Sequence, residues 1–135
     1  MDELPTTETE WRDRLGSERY AILRQAATEA PWTGEYVDNH ADGTYRCGAC
    51  QAVLFGSDTK FESGSGWPSF FEAASPDAVE LVEDRTHGMV RTEVRCGTCH
   101  SHLGHLFPDG PQPTGLRFCM NSLALSFEGA TDDQT

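Results

Sequence analysis

The feature that most limits how this chain can fold is a pair of matching tetrapeptides, Cys47-Gly-Ala-Cys50 and Cys96-Gly-Thr-Cys99, each preceded by an arginine, Arg46 and Arg95. In a C-x-x-C knuckle both sulfurs turn toward one ion, and the intervening glycine permits the tight turn. Two knuckles complete the tetrahedron that zinc prefers, and four thiolates leave no coordination position open for chemistry. The pattern therefore predicts one structural Zn2+ held by Cys47, Cys50, Cys96 and Cys99. The 45 residues from Gln51 to Arg95 separate the pairs, so the ion must join distant parts of the chain. Two other readings exist: a thioredoxin-like redox C-x-x-C, which wants a βαβ setting, and a disulfide framework, which wants an oxidising compartment.

Four ligands leave Cys119 as the only free thiol. If Leu116-Arg117-Phe118-Cys119-Met120-Asn121 is a regular strand, then Arg117, Cys119 and Asn121 project from one face. A cation beside the sulfur favours the thiolate, and an amide can hydrogen-bond the species it attacks. A buried, inert cysteine would fit this segment equally well. Directly after the second knuckle, His100, His102 and His105 offer groups that trade protons near neutral pH. Proton donation beside a thiol nucleophile is the favoured reading of His102 and His105; a second metal site lacks a carboxylate at familiar spacing. The loop Ser63-Gly-Ser-Gly-Trp67-Pro-Ser-Phe70-Phe71 sets aromatics on a Gly-rich, Pro-stiffened backbone, a common way to shape a small apolar pocket, with core packing of Trp67 the less favoured reading.

The secondary-structure pattern predicts a mainly antiparallel β domain. A helix capped by Ser17 is expected, with Tyr20, Leu23 and Ala27 at helical spacing, ending at Ala30-Pro31. A strand is expected from Met89 to Arg95, with Val90, Thr92 and Val94 inward and Arg91, Glu93 and Arg95 in water. A second begins near Leu116 and continues through the alternation of Leu123, Leu125 and Phe127. One catalytic domain over 16–128 is expected between a polar, flexible 1–15 and a polar tail, 129–135.

Composition excludes several functions. No run approaches the roughly 20 apolar residues of a membrane helix. The acidic start MDELPTTETEW lacks the order of a secretory signal, so the chain is expected in the cytoplasm. A net charge of -12 repels a phosphate backbone, so nucleic acid is not an expected partner. Only Lys60 is a lysine among ten basic residues, a surface suited to a high-salt cytoplasm.

Together these segments resemble the B-type methionine sulfoxide reductases, which act on the R diastereomer. The resemblance runs from the helix near Ser17, through Thr28-Glu-Ala-Pro-Trp-Thr-Gly-Glu-Tyr36, to Phe127, and rests on Gly66-Trp-Pro-Ser-Phe70, His102-Leu-Gly-His105 and Arg117-Phe-Cys-Met-Asn-Ser122 in family order. It implies a small fold of two packed antiparallel sheets with short flanking helices, stapled by the four-cysteine zinc site. It also implies Cys119 as nucleophile, and His102, His105 and Asn121 as the residues that bind and protonate the sulfoxide oxygen. Trp67 would grip the substrate methyl group, with Phe70 and Arg117 completing the substrate site. The substrates would be oxidised proteins carrying methionine-R-sulfoxide, and the protein would act as a monomer. One branch of the family has a cysteine where this chain has Ser65, which condenses with the sulfenic acid. Serine cannot do so, so an external thiol, thioredoxin or another, is expected to reduce Cys119 directly. A zinc-knuckle binding module would leave Cys119, the histidines and the aromatic loop unexplained. A zinc hydrolase or deaminase would need an open metal position, and the H-x-E…P-C-x-x-C pattern is absent.

Overall fold

A computed structural model describes residues 7–85 and 88–129. Helix α1, Glu8–Leu15, starts at a capping box: Thr7 Oγ1 accepts from the Glu10 amide, and the Glu10 carboxylate accepts from the Thr7 amide, both at 3.2 Å. The segment 1–15, expected as a flexible end, thus contains a helix that buries Trp11 beneath the Arg24 guanidinium, 4.7 Å from the ring. Residues 1–6 and the tail from 130 lie outside the described residues.

Helix α2, Ser17–Gln25, is capped at Gly16 rather than Ser17 and buries Tyr20, Ile22 and Leu23. It stops short of the expected Ala30-Pro31, with Ala26 in the left-handed region at φ 58°. Ala27 is half-buried outside the helix. The early stop frees residues 28–36 to form a turn-rich strap, with turns at Pro31-Trp32 and at Glu35-Tyr36, that lies against Gly66, Trp67 and Ser122.

Among the described residues, nine strands form two antiparallel sheets. The smaller has the order β2-β1-β9, from β1 Gly43–Cys47, β2 Val53–Gly56 and β9 Leu125–Gly129. The larger has the order β3-β4-β8-β7-β6-β5. Its strands are β3 Lys60–Phe61, β4 Ser69–Phe70, β5 Val79–Asp84, β6 Arg91–Cys96, β7 His102–Phe107 and β8 Arg117–Met120. Aromatic rings join the sheets: Phe55 stacks on Phe70 at 4.3 Å and tilts against Phe118 at 5.6 Å, while Tyr45 meets Phe70 edge-on at 5.0 Å. Leu54, Val94, Leu103, Met120 and Leu125 fill the remaining core. No helix among the described residues is long and apolar enough to cross a membrane.

Two expected strands change. Met89 and Val90 are exposed and precede β6, which begins at Arg91. Within it, Glu93 is buried, not in water, its carboxylate bonded to Arg95 and to His102 of β7. The continuous strand expected from Leu116 to Phe127 is two strands in different sheets, β8 and β9, split by a 3-10 turn at Ser122–Ala124. Hydrophobic alternation is blind to such a jump, since both halves bury one face.

Candidate active site

The two knuckles are built alike. Each begins at a strand end, Cys47 on β1 and Cys96 on β6, and its first sulfur accepts a backbone N–H at 3.4 Å, from Ala49 and from Thr98. Each turn closes with the residue after the second cysteine, Gln51 at φ 69° and His100 at φ 66°, whose amide donates to the first cysteine's carbonyl at 2.9 Å. The four sulfurs lie within 4.8 Å of one another, with Cys47–Cys99 at 3.7 Å and Cys50–Cys96 at 3.5 Å. A metal with sulfur bonds of about 2.3 Å in a tetrahedron separates its ligands by about 3.8 Å, so the cluster fits such an ion. Hydrogen bonding among the crowded sulfurs holds the Cys47 thiol up and Cys99 down, the behaviour of groups that cannot all ionise without a cation. Because β1 and β6 belong to different sheets, an ion here staples the two layers.

The larger sheet aligns a second set of groups. Strand register places Val82, Glu93, His105, Cys119 and Ser69 in one row across β5, β6, β7, β8 and β4. Paired residues of an antiparallel ladder project from the same face, so His105 and Cys119 are neighbours. Gly104 lets the strands close here: a Cβ on it would collide with the Cys119 carbonyl. A cavity of about 260 Å³ opens over the row, walled by Trp67, His105, Phe107, Arg117, Cys119 and Asn121.

Burial pushes the Cys119 thiol above its ordinary value, against the downward pull of Ser65 and of Arg117. The cation expected to activate the sulfur is therefore outweighed by desolvation. Arg117 is also shared, donating to both Asp109 carboxylate oxygens at 2.8 and 3.2 Å and lying 4.4 Å over the Phe107 ring. Ser65 Oγ stands 3.7 Å from Cys119 Sγ, and Ser63 links it to Ser69 through two 2.7 Å hydrogen bonds.

His102 and His105 each hold a carboxylate that the sequence reading did not supply. Nδ1 of His102 bonds Glu93 at 2.7 Å, and Nε2 of His105 bonds Asp84 at 2.7 Å. The rings lie 5.5 Å apart; His105 faces the cavity, and both rings line an adjoining hollow with Asp84 and Glu93. Burial lowers the His102 pKa despite Glu93, so its imidazole stays neutral at pH 7. His100 lies elsewhere, exposed and paired with Glu80.

Trp67 is half-buried on the cavity wall, its indole N–H donating to the Glu29 carbonyl at 3.0 Å. Phe70, expected at the substrate site, is fully buried between Phe55 and Tyr45 and does not reach the cavity. Successive strand residues face opposite ways, and on β4 it is Ser69 that shares the Cys119 side. Asn121 follows β8, and its amide is engaged on both ends, accepting from the Glu29 N–H at 3.0 Å and donating to the Leu103 carbonyl at 3.1 Å.

The family model described as the SelR domain matches residues 15–129. The chain belongs to the SelR family. High-identity relatives carry the name peptide methionine sulfoxide reductase MsrB. That of Thiobacillus denitrificans is 60% identical over 123 residues, covering 91% of this chain and 93% of its own. That of Thioalkalivibrio sulfidiphilus is 55% identical over 124 residues, covering 92% and 90%. That of a Synechococcus species is 51% identical over 130 residues, covering 96% of each chain. The SelR match spans both knuckles, the strap at 28–36 and every residue of the cavity wall.

Proposed function

We propose that this chain is a thiol-dependent oxidoreductase that returns methionine-R-sulfoxide residues of oxidised proteins to methionine, using residues 16–128 as its catalytic unit. The carrying observation is Cys119: the one thiol outside the sulfur tetrad sits on a cavity that also offers an aromatic wall, Trp67, and a carboxylate-backed imidazole, His105.

On this reading the substrate methyl group packs on Trp67 and its sulfoxide oxygen turns toward His105. The Cys119 thiolate attacks the electrophilic sulfur to form a transient sulfur–sulfur bond, the oxygen takes a proton from the imidazole, and the sulfur–oxygen bond breaks as that hydroxyl passes to the Cys119 sulfur and displaces the methionine sulfur. Asp84 orients the ring through Nε2, and His102, held by Glu93, packs edge-on against it. Methionine leaves and Cys119 carries the oxygen as a sulfenic acid. One external thiol then forms a mixed disulfide and releases water, and a second frees Cys119. With Ser65 beside the sulfur and the other cysteines in the tetrad, thioredoxin or another thiol serves as reductant. The ion we assign to the tetrad is zinc; bound by four thiolates it stiffens the fold and takes no part in turnover. We further propose that the protein works as a monomer in the cytoplasm.

The test is to incubate wild type and Cys119→Ser with separated R and S diastereomers of an N-blocked methionine sulfoxide plus dithiothreitol, and to quantify the blocked methionine. Reduction of the R form alone, lost in the variant, is expected. Turnover that survives in Cys119→Ser would overturn the assignment of the nucleophile, and inactivity of folded, zinc-loaded wild type would overturn the function.

A further inference from the structure

Residues 28–36 belong to no strand, yet they are fastened to the cavity at several points. The Trp32 amide donates to the Gly66 carbonyl at 2.7 Å, and the Tyr36 amide donates to Ser122 Oγ at 3.1 Å. Gly34 passes so close that a Cβ would collide with Ser122 Oγ and the Glu29 carboxylate. Glu29 is the centre of this strap. Its carboxylate is buried and accepts two backbone N–H groups that open the 3-10 turn, Ser122 at 2.8 Å and Leu123 at 3.0 Å. Anionic acceptors suit such a turn start, where amide donors lack partners within the turn. Its main chain serves the cavity on both sides: the carbonyl receives the Trp67 indole N–H, and the amide donates to the Asn121 side chain.

We propose that Glu29 is a positioning residue for the reaction, a buried carboxylate clamp that fixes the Trp67 indole and the Asn121 amide relative to Cys119. This rests on the reading of the cavity as the sulfoxide site. A side chain locked by its neighbours holds a substrate methyl group at one distance from the nucleophile, and a displacement of about 1 Å costs such sites about a hundredfold in rate. Glu29 does this without touching substrate. Its side chain anchors the peptide units on either side of it, and those peptide units hold the tryptophan and the asparagine. Replacing the carboxylate with an amide leaves one turn N–H facing an NH2 group, so the anchor loosens while volume is preserved.

The test compares kcat and KM for N-blocked methionine-R-sulfoxide in wild type, Glu29→Gln, Trp67→Phe and the double variant, with hydrogen exchange of the Trp67 indole N–H followed by NMR. Glu29→Gln is expected to lower kcat/KM by about tenfold to a hundredfold, with part of the loss in KM, and to speed indole exchange. Because both changes act on the same placement of the indole, one by loosening the peptide unit that holds it and one by removing its N–H, the double variant should lose little more than the worse single one. Multiplicative losses, wild-type kinetics in folded Glu29→Gln, or unchanged indole exchange would overturn the proposal. If Glu29→Gln does not fold, Gly34→Ala, which crowds the same carboxylate, takes its place with the same expectations. Wild type that turns over no sulfoxide would refute the functional reading, whereas the indole exchange would still report on the clamp.

Discussion

At the scale of single residues the site depends on what surrounds one sulfur. Burial raises the Cys119 pKa above that of an ordinary thiol, and only part of that rise is offset by Ser65 and Arg117. The thiolate fraction therefore lags that of an ordinary thiol at any given pH and grows as pH rises. Iodoacetamide modification of Cys119, corrected with Cys119→Ser, should accelerate with pH and show a midpoint higher than that of an ordinary exposed thiol; a midpoint below the ordinary value would mean that the cation outweighs burial. The 3.7 Å between Ser65 Oγ and Cys119 Sγ leads to a second expectation. A sulfur at that position lies within a small movement of bonding distance. Ser65→Cys should therefore form an intramolecular disulfide with Cys119 after one turnover, visible as the loss of two thiols by mass spectrometry, whereas wild type should show none. Ser65 and Cys119 were both legible as residues, because the reactivity of a side-chain type is local. Asp84, Glu93 and Glu29 were not, since nothing in an isolated carboxylate distinguishes one that orients a histidine from one in water.

At the scale of elements, the knuckles and the strands divide the work. Each knuckle closes the end of a strand in a different sheet, so an ion bound by all four sulfurs opposes separation of the layers. Cys50→Ala removes one ligand and should cost about 3 kcal/mol, lowering Tm by about 10 °C. Stoichiometric metal analysis and thermal unfolding check this; full metal occupancy with unchanged Tm would exclude the stapling role. The strand patterns were legible where one face met the core, as with Val94. They misled where a polar face was covered. Glu93 reads as solvent-facing by alternation, but its carboxylate is buried, bonded to Arg95 and to His102 of β7. Phe70 and Trp67 lie three residues apart in one aromatic loop, and the start of β4 between them sends Phe70 into the core.

At the scale of the whole molecule, 22 acidic residues oppose 10 basic ones. Self-repulsion of such a surface is long-ranged in dilute buffer and shrinks as salt shortens the screening distance to about 3 Å at 1 M. The Tm should accordingly be higher in molar KCl than in dilute buffer. Equal values would show that repulsion does not limit stability, and would remove the basis for a high-salt adaptation.

The sequence alone determined the sulfur tetrad, the single remaining thiol, the histidine pair and the family to which the chain belongs. Each of these is a matter of residue type at short spacing, and short spacing survives folding unchanged. Tertiary structure decided which carboxylate backs which histidine, which aromatic faces the cavity, and that the strap at 28–36 clamps Trp67 and Asn121 through Glu29. Alternation along a strand reveals which side chains share a face. What covers that face comes from segments tens of residues away, and only their packing makes one buried carboxylate a partner and one aromatic a wall.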